Sequence, residues 1–312
     1  MRAVSILAAL ITIFAGVSIS WGEEGVVAYG RTVERGGLRY EVNSEKPFTG
    51  KTVGYWSNGK KRIEAGYRDG KVEGKMVTWY KNGQREFQSD YPAGKEQGKA
   101  VSWYENGQNQ IEAEYSDGQL NGKWISWYEN GQKKLEAEYS DGQLNGKVTS
   151  WSENGQKTFE TKYRNGKTNG KLVSWYENGQ KQKESESSDG QLNGKLVMWY
   201  ENGKKQTEAE YRNGKENGKR TSWYENGQKK EESESSDGQL NGKLLGWYDS
   251  GQKKREAEYS NGQLHGKWID WYEDGKKELE GEYCHGRRSI IRFWDEDGTL
   301  TSSIGHQQGI KP

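Results

Sequence analysis

Histidine and cysteine are the side chains best suited to chemistry, and this chain holds few: His265, His285, His306 and Cys284. Cys284 and His285 are adjacent. Neighbours along a strand project to opposite faces, which makes a poor metal pair. A single cysteine closes no internal disulfide and leaves a free thiol or a bridge between two chains. Serine is plentiful, yet no G-x-S-x-G elbow or similar nucleophile setting occurs. Glutamates stand two apart, as in Glu136 and Glu138, but that spacing returns through the chain, whereas a general acid–base pair is needed once. They read as a solvated face. Asn-Gly and Asp-Gly pairs such as Asn58-Gly59, Asn178-Gly179 and Asp274-Gly275 are spread one turn at a time, not gathered into a phosphate loop. The expectation is no enzyme: no catalytic, cofactor-binding or metal residues, and no cofactor.

Aromatic residues are the other candidates. The chain has 14 Trp and 19 Tyr, and they recur at fixed places. One row is Trp79, Trp103, Trp127, Trp151, Trp175, Trp199, Trp223, Trp247 and Trp271, with Tyr55 ahead of it. In the structural reading, neighbouring rings stack and supply burial that Leu and Val supply elsewhere. In the binding reading, the row is an aromatic face for glycan, lipid or protein. The two are compatible, because a ring can pack on its edge and offer its face.

Fixed spacing requires a repeated element to hold it. A 24-residue phrase, close to G-K-x-V-S-W-Y-E-N-G-Q-K-K-x-E-A-E-Y-S-D-G-Q-L-N, occurs ten times without insertion or deletion, the first copy opening at Gly50 and the last at Gly266. Such a unit is too short to bury a core alone, so the copies must stack. In the copy opening at Gly122, Lys123–Tyr128 and Gln132–Tyr139 read as strands around the turn Glu129-Asn130-Gly131, and Ser140–Gly146 as a closing turn region. If the first turn is a three-residue loop with a left-handed glycine, Tyr128 faces Gln132, and Trp127 lies near Lys133. Alternation then predicts one face of Ile125, Trp127, Leu135, Ala137 and Tyr139, and another of Trp124, Ser126, Tyr128, Lys134, Glu136 and Glu138. The fold class is all-β: an elongated, single-layer antiparallel sheet of stacked β-hairpins, on the order of 100 Å long at about 4.8 Å per strand.

The copies are not equal. Position 14 of the phrase is Ile63, Phe87, Ile111, Leu135 and Phe159, then Lys183, Thr207, Glu231 and Arg255. Ser187 and Ser235 replace the tyrosine that closes strand two elsewhere. The apolar face weakens from about residue 170 to 265, which predicts lower local stability there; a polar binding segment is the alternative. Lys133-Lys134 followed by Glu136 and Glu138 suits cross-strand pairing that sets register and solubility.

Composition bounds the rest. With 47 basic against 46 acidic residues there is no basic stripe, so nucleic acid is not expected as a partner. Arg2, the apolar run Ala3–Ser20 and the small residues around Trp21 read as an export signal at 1–22, with an uncleaved anchor as the alternative. Residues 23–49 read as an N-terminal lead-in and cap, 50–289 as the ten repeats, 290–302 as a degenerate C-terminal cap and 303–312 as a disordered tail.

The Tyr-Glu-Asn-Gly turn, the Glu-Tyr before Asp-Gly and the Gly-Lys that reopens each copy resemble the MORN repeat in its longer bacterial variant, over about residues 38–298. That resemblance implies stacked hairpins acting as a scaffold, with some members proposed to bind phospholipid or to dimerise. Bacterial relatives often carry an antitoxin label, which fits poorly with an export signal unless the chain gives immunity outside the cytoplasm. The expected function is an exported, noncatalytic scaffold binding a protein partner, in the periplasm or secreted. An envelope lipid or glycan is the alternative partner, and a homodimer stays open.

Overall fold

The computed structural model describes residues 25–305. The export signal expected at 1–22 lies outside the described residues, as do residues 306–312. Apart from 3-10 turns at Tyr29–Arg31 and Pro92–Gly94, the regular structure among the described residues is β. The chain divides into a compact unit ending at Gln143 and another starting at Leu144.

The first unit opens with β1 (Val26–Ala28), β2 (Thr32–Arg35), β3 (Leu38–Glu41) and β4 (Gly50–Tyr55). β1 lies parallel on β4, with Val27 beside Thr52, and so occupies the first edge of the repeat sheet. β2 and β3 form a separate hairpin. From β4 onward each strand pairs antiparallel with the next, through Lys61–Arg68, Lys71–Trp79 and Arg85–Tyr91 and beyond. The second unit repeats this pattern and closes with the hairpin Arg287–Trp294 and Leu300–Gly305. Its last strand includes Ser303, Ile304 and Gly305, so the expected tail begins at least three residues too early.

The first turn forms as its residues dictate. Tyr128 N–H donates to Gln132 C=O at 2.8 Å, Gly131 N–H to Tyr128 C=O at 2.9 Å, and Gly131 has φ 85°. The Asn130 side chain accepts from Gln132 N–H at 2.9 Å, an Asx turn that prepays the bend. The second connection differs from expectation. Asp141 and Gly142 both have positive φ, 49° and 76°, a two-residue turn of the kind that suits strand twist. Gln143–Trp151 is then one continuous strand, so the Q-L-N-G segment is strand, not loop.

Within such strands pairing slips. Gln119 and Leu120 pair back with Ser116 and Tyr115, and register shifts before Trp124. Gly122 sits at the slip with φ 121°, where an added Cβ would strike the Glu114 carboxylate.

The face assignment is overturned. Trp127 does pair with Lys133, but the register then shifts by one, so Ser126 pairs with Leu135, Ile125 with Glu136 and Trp124 with Ala137. Directly paired residues share a face. One face therefore carries Trp124, Ser126, Leu135, Ala137 and Tyr139; the other carries Lys123, Ile125, Trp127, Glu136 and Glu138. Trp127 and Leu135 lie on opposite faces. The cause is a β-bulge at Lys133-Lys134, which inserts a residue that simple alternation cannot count. The same shift recurs beside Trp79, Trp175, Trp223 and Trp271.

The core is a row of small residues at position 16. Ala65, Ser89, Ala113, Ala137, Thr161, Ser185, Ala209, Ser233 and Ala257 are each at most 3% exposed. Burial that complete leaves room for little more than a methyl or hydroxyl group.

Candidate binding faces

The nine tryptophans from Trp79 to Trp271 are all half-buried. They share their face with the charged residues rather than with position 14. In the copy opening at Gly170, Glu184 accepts from Lys171 Nζ at 2.6 Å and from Lys181 Nζ at 2.7 Å. Lys181 Nζ also sits 5.7 Å from the Trp199 ring centroid, in the next copy. The same arrangement recurs: Lys219 and Lys229 hold Glu232 at 2.6 and 2.9 Å, and Lys229 lies 5.5 Å from the Trp247 ring centroid. Lys243 and Lys253 hold Glu256, and Lys253 lies 5.2 Å from the Trp271 ring centroid. Trp79, Trp199, Trp223, Trp247 and Trp271 each meet an ammonium from the preceding hairpin, a cation–π contact. Tyr55, which has no earlier repeat hairpin to supply one, is 44% exposed.

Hydrogen bonds from their lysines hold Glu64, Glu184, Glu208 and Glu232 below the usual glutamate value, against the opposing effect of burial. The second lysine of the bulge reaches a different ring: Lys134 Nζ is 5.3 Å from the Tyr128 centroid and Lys254 Nζ is 5.1 Å from that of Tyr248. The bulge thus lets consecutive lysines serve two aromatic rows.

Both rows are tied to the repeat period. Tyr176 Oη donates to Trp199 C=O at 2.8 Å, Tyr200 to Trp223 at 2.8 Å and Tyr224 to Trp247 at 2.9 Å. Asn178 Nδ2 donates to Glu201 C=O at 2.9 Å, and Asn202 to Glu225 at 3.1 Å. Each bond runs from one turn to the next. The 24-residue period was the signal for these bonds, but periodicity gives no direction to a side chain.

A second feature lies in the first unit, where the lead-in meets the small-residue face. A cavity of about 490 Å³ is lined by Tyr29 and Arg39 of the lead-in and by Ile63, Tyr67, Phe87 and Tyr91 of the hairpins, among others. Arg39 is 7% exposed, donates from Nε to Thr32 Oγ1 at 2.8 Å, and stacks 3.9 Å from the Tyr29 centroid. Burial pushes the Tyr67 and Tyr91 hydroxyls up. Nothing in the phrase announces this cavity, because one wall comes from residues outside the repeat.

The histidine and cysteine positions also depart from expectation. Cys284 ends a strand, but His285 follows in a turn at φ 49°, so strand alternation does not separate them. Cys284 Sγ lies 3.3 Å from His285 Nδ1.

Residues 96–117, 120–141, 144–166, 192–213, 216–237, 240–261 and 264–285 match the family model described as the MORN repeat variant. The chain is a MORN-repeat protein. As such it belongs to a class of repeat proteins that contact proteins or membrane lipids. No curated protein sequence matches it. Among solved structures, it is similar to a chain in the crystal structure of TcdB2-TccC3, at 11% identity and a TM-score of 0.14. That likeness covers 80% of this MORN-repeat chain but only 18% of the other. A similarity at that score defines neither fold nor function.

Proposed function

We propose that this protein is an exported, noncatalytic scaffold that binds a protein partner through its tryptophan-bearing face. The observation that carries the reading is the recurring lattice of Trp, Lys and Glu. Lys181 with Trp199, Lys205 with Trp223, Lys229 with Trp247 and Lys253 with Trp271 present the same aromatic and charged groups once per repeat. Aromatic area flanked by paired charges suits protein contact, with the rings as anchors and the charges setting orientation. An extended or itself repetitive partner could use several copies together, and avidity would then multiply weak single contacts.

Export rests on the sequence at 1–22. No helix among the described residues is long and apolar enough to cross a membrane.

The test is capture of the tagged chain from its own cell envelope with amine crosslinking and mass spectrometry. The expected result is one stoichiometric protein with crosslinks concentrated on Lys181, Lys205, Lys229 and Lys253. Crosslinks confined to other lysines, or no protein above background, would overturn the reading.

A second reading is favoured by the first-unit cavity. Aromatic and aliphatic walls beside buried Arg39 suit an amphiphile with an apolar body and an anionic head. Co-sedimentation with anionic liposomes that Arg39→Gln abolishes would support it; equal pelleting by both forms would exclude the cavity.

A further inference from the structure

We propose that His265, Cys284 and His285 form a metal site for a borderline-soft divalent ion, with Zn(II) the natural occupant. Their ligand atoms all lie within 4.8 Å of one another. Cys284 Sγ is already 3.3 Å from His285 Nδ1, and the two imidazole centroids are 4.8 Å apart.

The repeat explains how the groups come together. His265 occupies position 24 of one copy, and Cys284 and His285 occupy positions 19 and 20 of the next. In other copies these places already touch. Asp117 N–H donates to the Gln97 side chain at 3.0 Å, and Asp237 N–H to the Asn217 side chain at 3.4 Å. Near this turn Gly286 N–H donates to Leu264 C=O at 2.8 Å, so the backbones are fastened together.

The residue types at these three places change together. Position 24 is Asn in most copies, as at Asn121, Asn145, Asn193 and Asn241; position 20 is Asp or Asn, as at Asp141 and Asn261; position 19 is Ser or Arg in most, as at Ser140 and Arg212. All three become metal ligands in the same turn. The chain has 3 His and 1 Cys in total, and two of those histidines and the cysteine meet here. Asn, Asp and His tolerate the left-handed conformation better than most residues, so His285 can replace Asp or Asn at φ 49°.

Two imidazoles and a thiolate make a three-ligand set that leaves a fourth tetrahedral position to water or to a ligand from outside. Coordination at roughly 2.0–2.3 Å needs the three atoms to close slightly. His265 and His285 are exposed and free to change rotamer. On binding, the Cys284 thiol forms the metal–sulfur bond as its proton passes to solvent, and each imidazole binds through a neutral nitrogen. Affinity therefore rises with pH. The bound ion would clip the strand Gln263–Trp271 to the turn after Lys277–Cys284, near the C-terminal end of the array.

The test uses the untagged full chain and two probes, Zn(II) and Co(II). The expected result is one equivalent bound, a thiolate-to-cobalt charge-transfer band, and slower amide exchange over Tyr283–Arg288 when Zn(II) is present. Cys284→Ser removes the band. His265→Asn and His285→Asn restore the residue that other repeats carry, as at Asn241 and Asn261, so folding is preserved, and each should weaken Zn(II) by roughly tenfold or more. His306→Gln should change nothing. Absence of saturable binding, retention of full affinity by H265N and H285N, or loss of binding in H306Q would each overturn the site.

Discussion

The same phrase supports two kinds of cross-strand pair at position 14. In the first unit Ile63 faces Thr78, Phe87 faces Ser102 and Ile111 faces Ser126, with Ile63 and Phe87 buried. In the second unit Lys183 faces Met198, Glu231 faces Gly246 and Arg255 faces Asp270. Each of these six residues pairs with the one 15 positions further on, so the register is the same. Arg255 replaces the lost apolar contact with bonds of 2.7 and 2.9 Å to Asp270 and a guanidinium 4.5 Å from the Trp268 centroid. The difference shows that position 14 does not fix the fold. Turns, bulges and the small residues of position 16 fix it, and position 14 adjusts how firmly each hairpin is held.

Phe87→Ala should have the largest effect, costing about 3 kcal/mol of local opening energy, because a large ring at 9% exposure leaves a void. Amide exchange of Arg85–Tyr91 measures it; Lys183→Ala should leave exchange in its own hairpin nearly unchanged.

Next come Ala137→Leu and Ala257→Leu, one in each unit, both at 0% exposure. Each should cost about 1–3 kcal/mol by overpacking. Similar losses in the two would establish position 16 as the common core; a neutral A257L would mean that the second unit is loosely packed.

Arg255→Met should cost roughly 1 kcal/mol, because it leaves Asp270 without its guanidinium partner. The double variant R255M/D270S should recover most of that loss, and a failure to recover would show that the pair is not the unit of stabilisation.

The smallest effect is acid sensitivity. Glutamates held below their usual value favour folding above the unfolded pKa, and the advantage disappears as pH falls through the lowered folded value. Glu64 is such a group in the first unit, and Glu160, Glu184, Glu208, Glu232, Glu256 and Glu280 are in the second. Amide protection factors, corrected for the intrinsic slowing of exchange in acid, should therefore fall more in the second unit as pH drops below about 4.3, with each exposed pair worth about 0.2–1 kcal/mol.

Much of this fold was legible because its turns are written in residues with restricted uses. Asn130-Gly131 and Asp141-Gly142 mark reversals, and Trp, Tyr and Val mark the strands between. Which face holds Trp127 was not legible. Alternation assumes one residue per step, and the bulge at Lys133-Lys134 spends two against one. The consecutive lysines were a hint, since both must reach solvent, yet no hydrophobic pattern records an extra residue. Cys284 and His285 were misjudged for a related reason: His285 has left the strand, and strand geometry no longer governs its direction. The first-unit cavity had no signal in the phrase, because Tyr29 and Arg39 belong to the lead-in.

The bonds from Asn82 to Glu105, Asn106 to Glu129 and Asn202 to Glu225 all span 23 residues. Such a bond tolerates the loss or gain of a whole copy, because the donor meets an equivalent carbonyl whichever repeat comes next. A change of one or two residues instead puts donor and acceptor out of step in the bond that spans it, while earlier and later bonds keep their 23-residue spacing. Unequal recombination can therefore lengthen or shorten this gene product in complete repeats, while a smaller slip costs the turn that contains it. Repeat number is then the dimension along which such a chain is free to evolve.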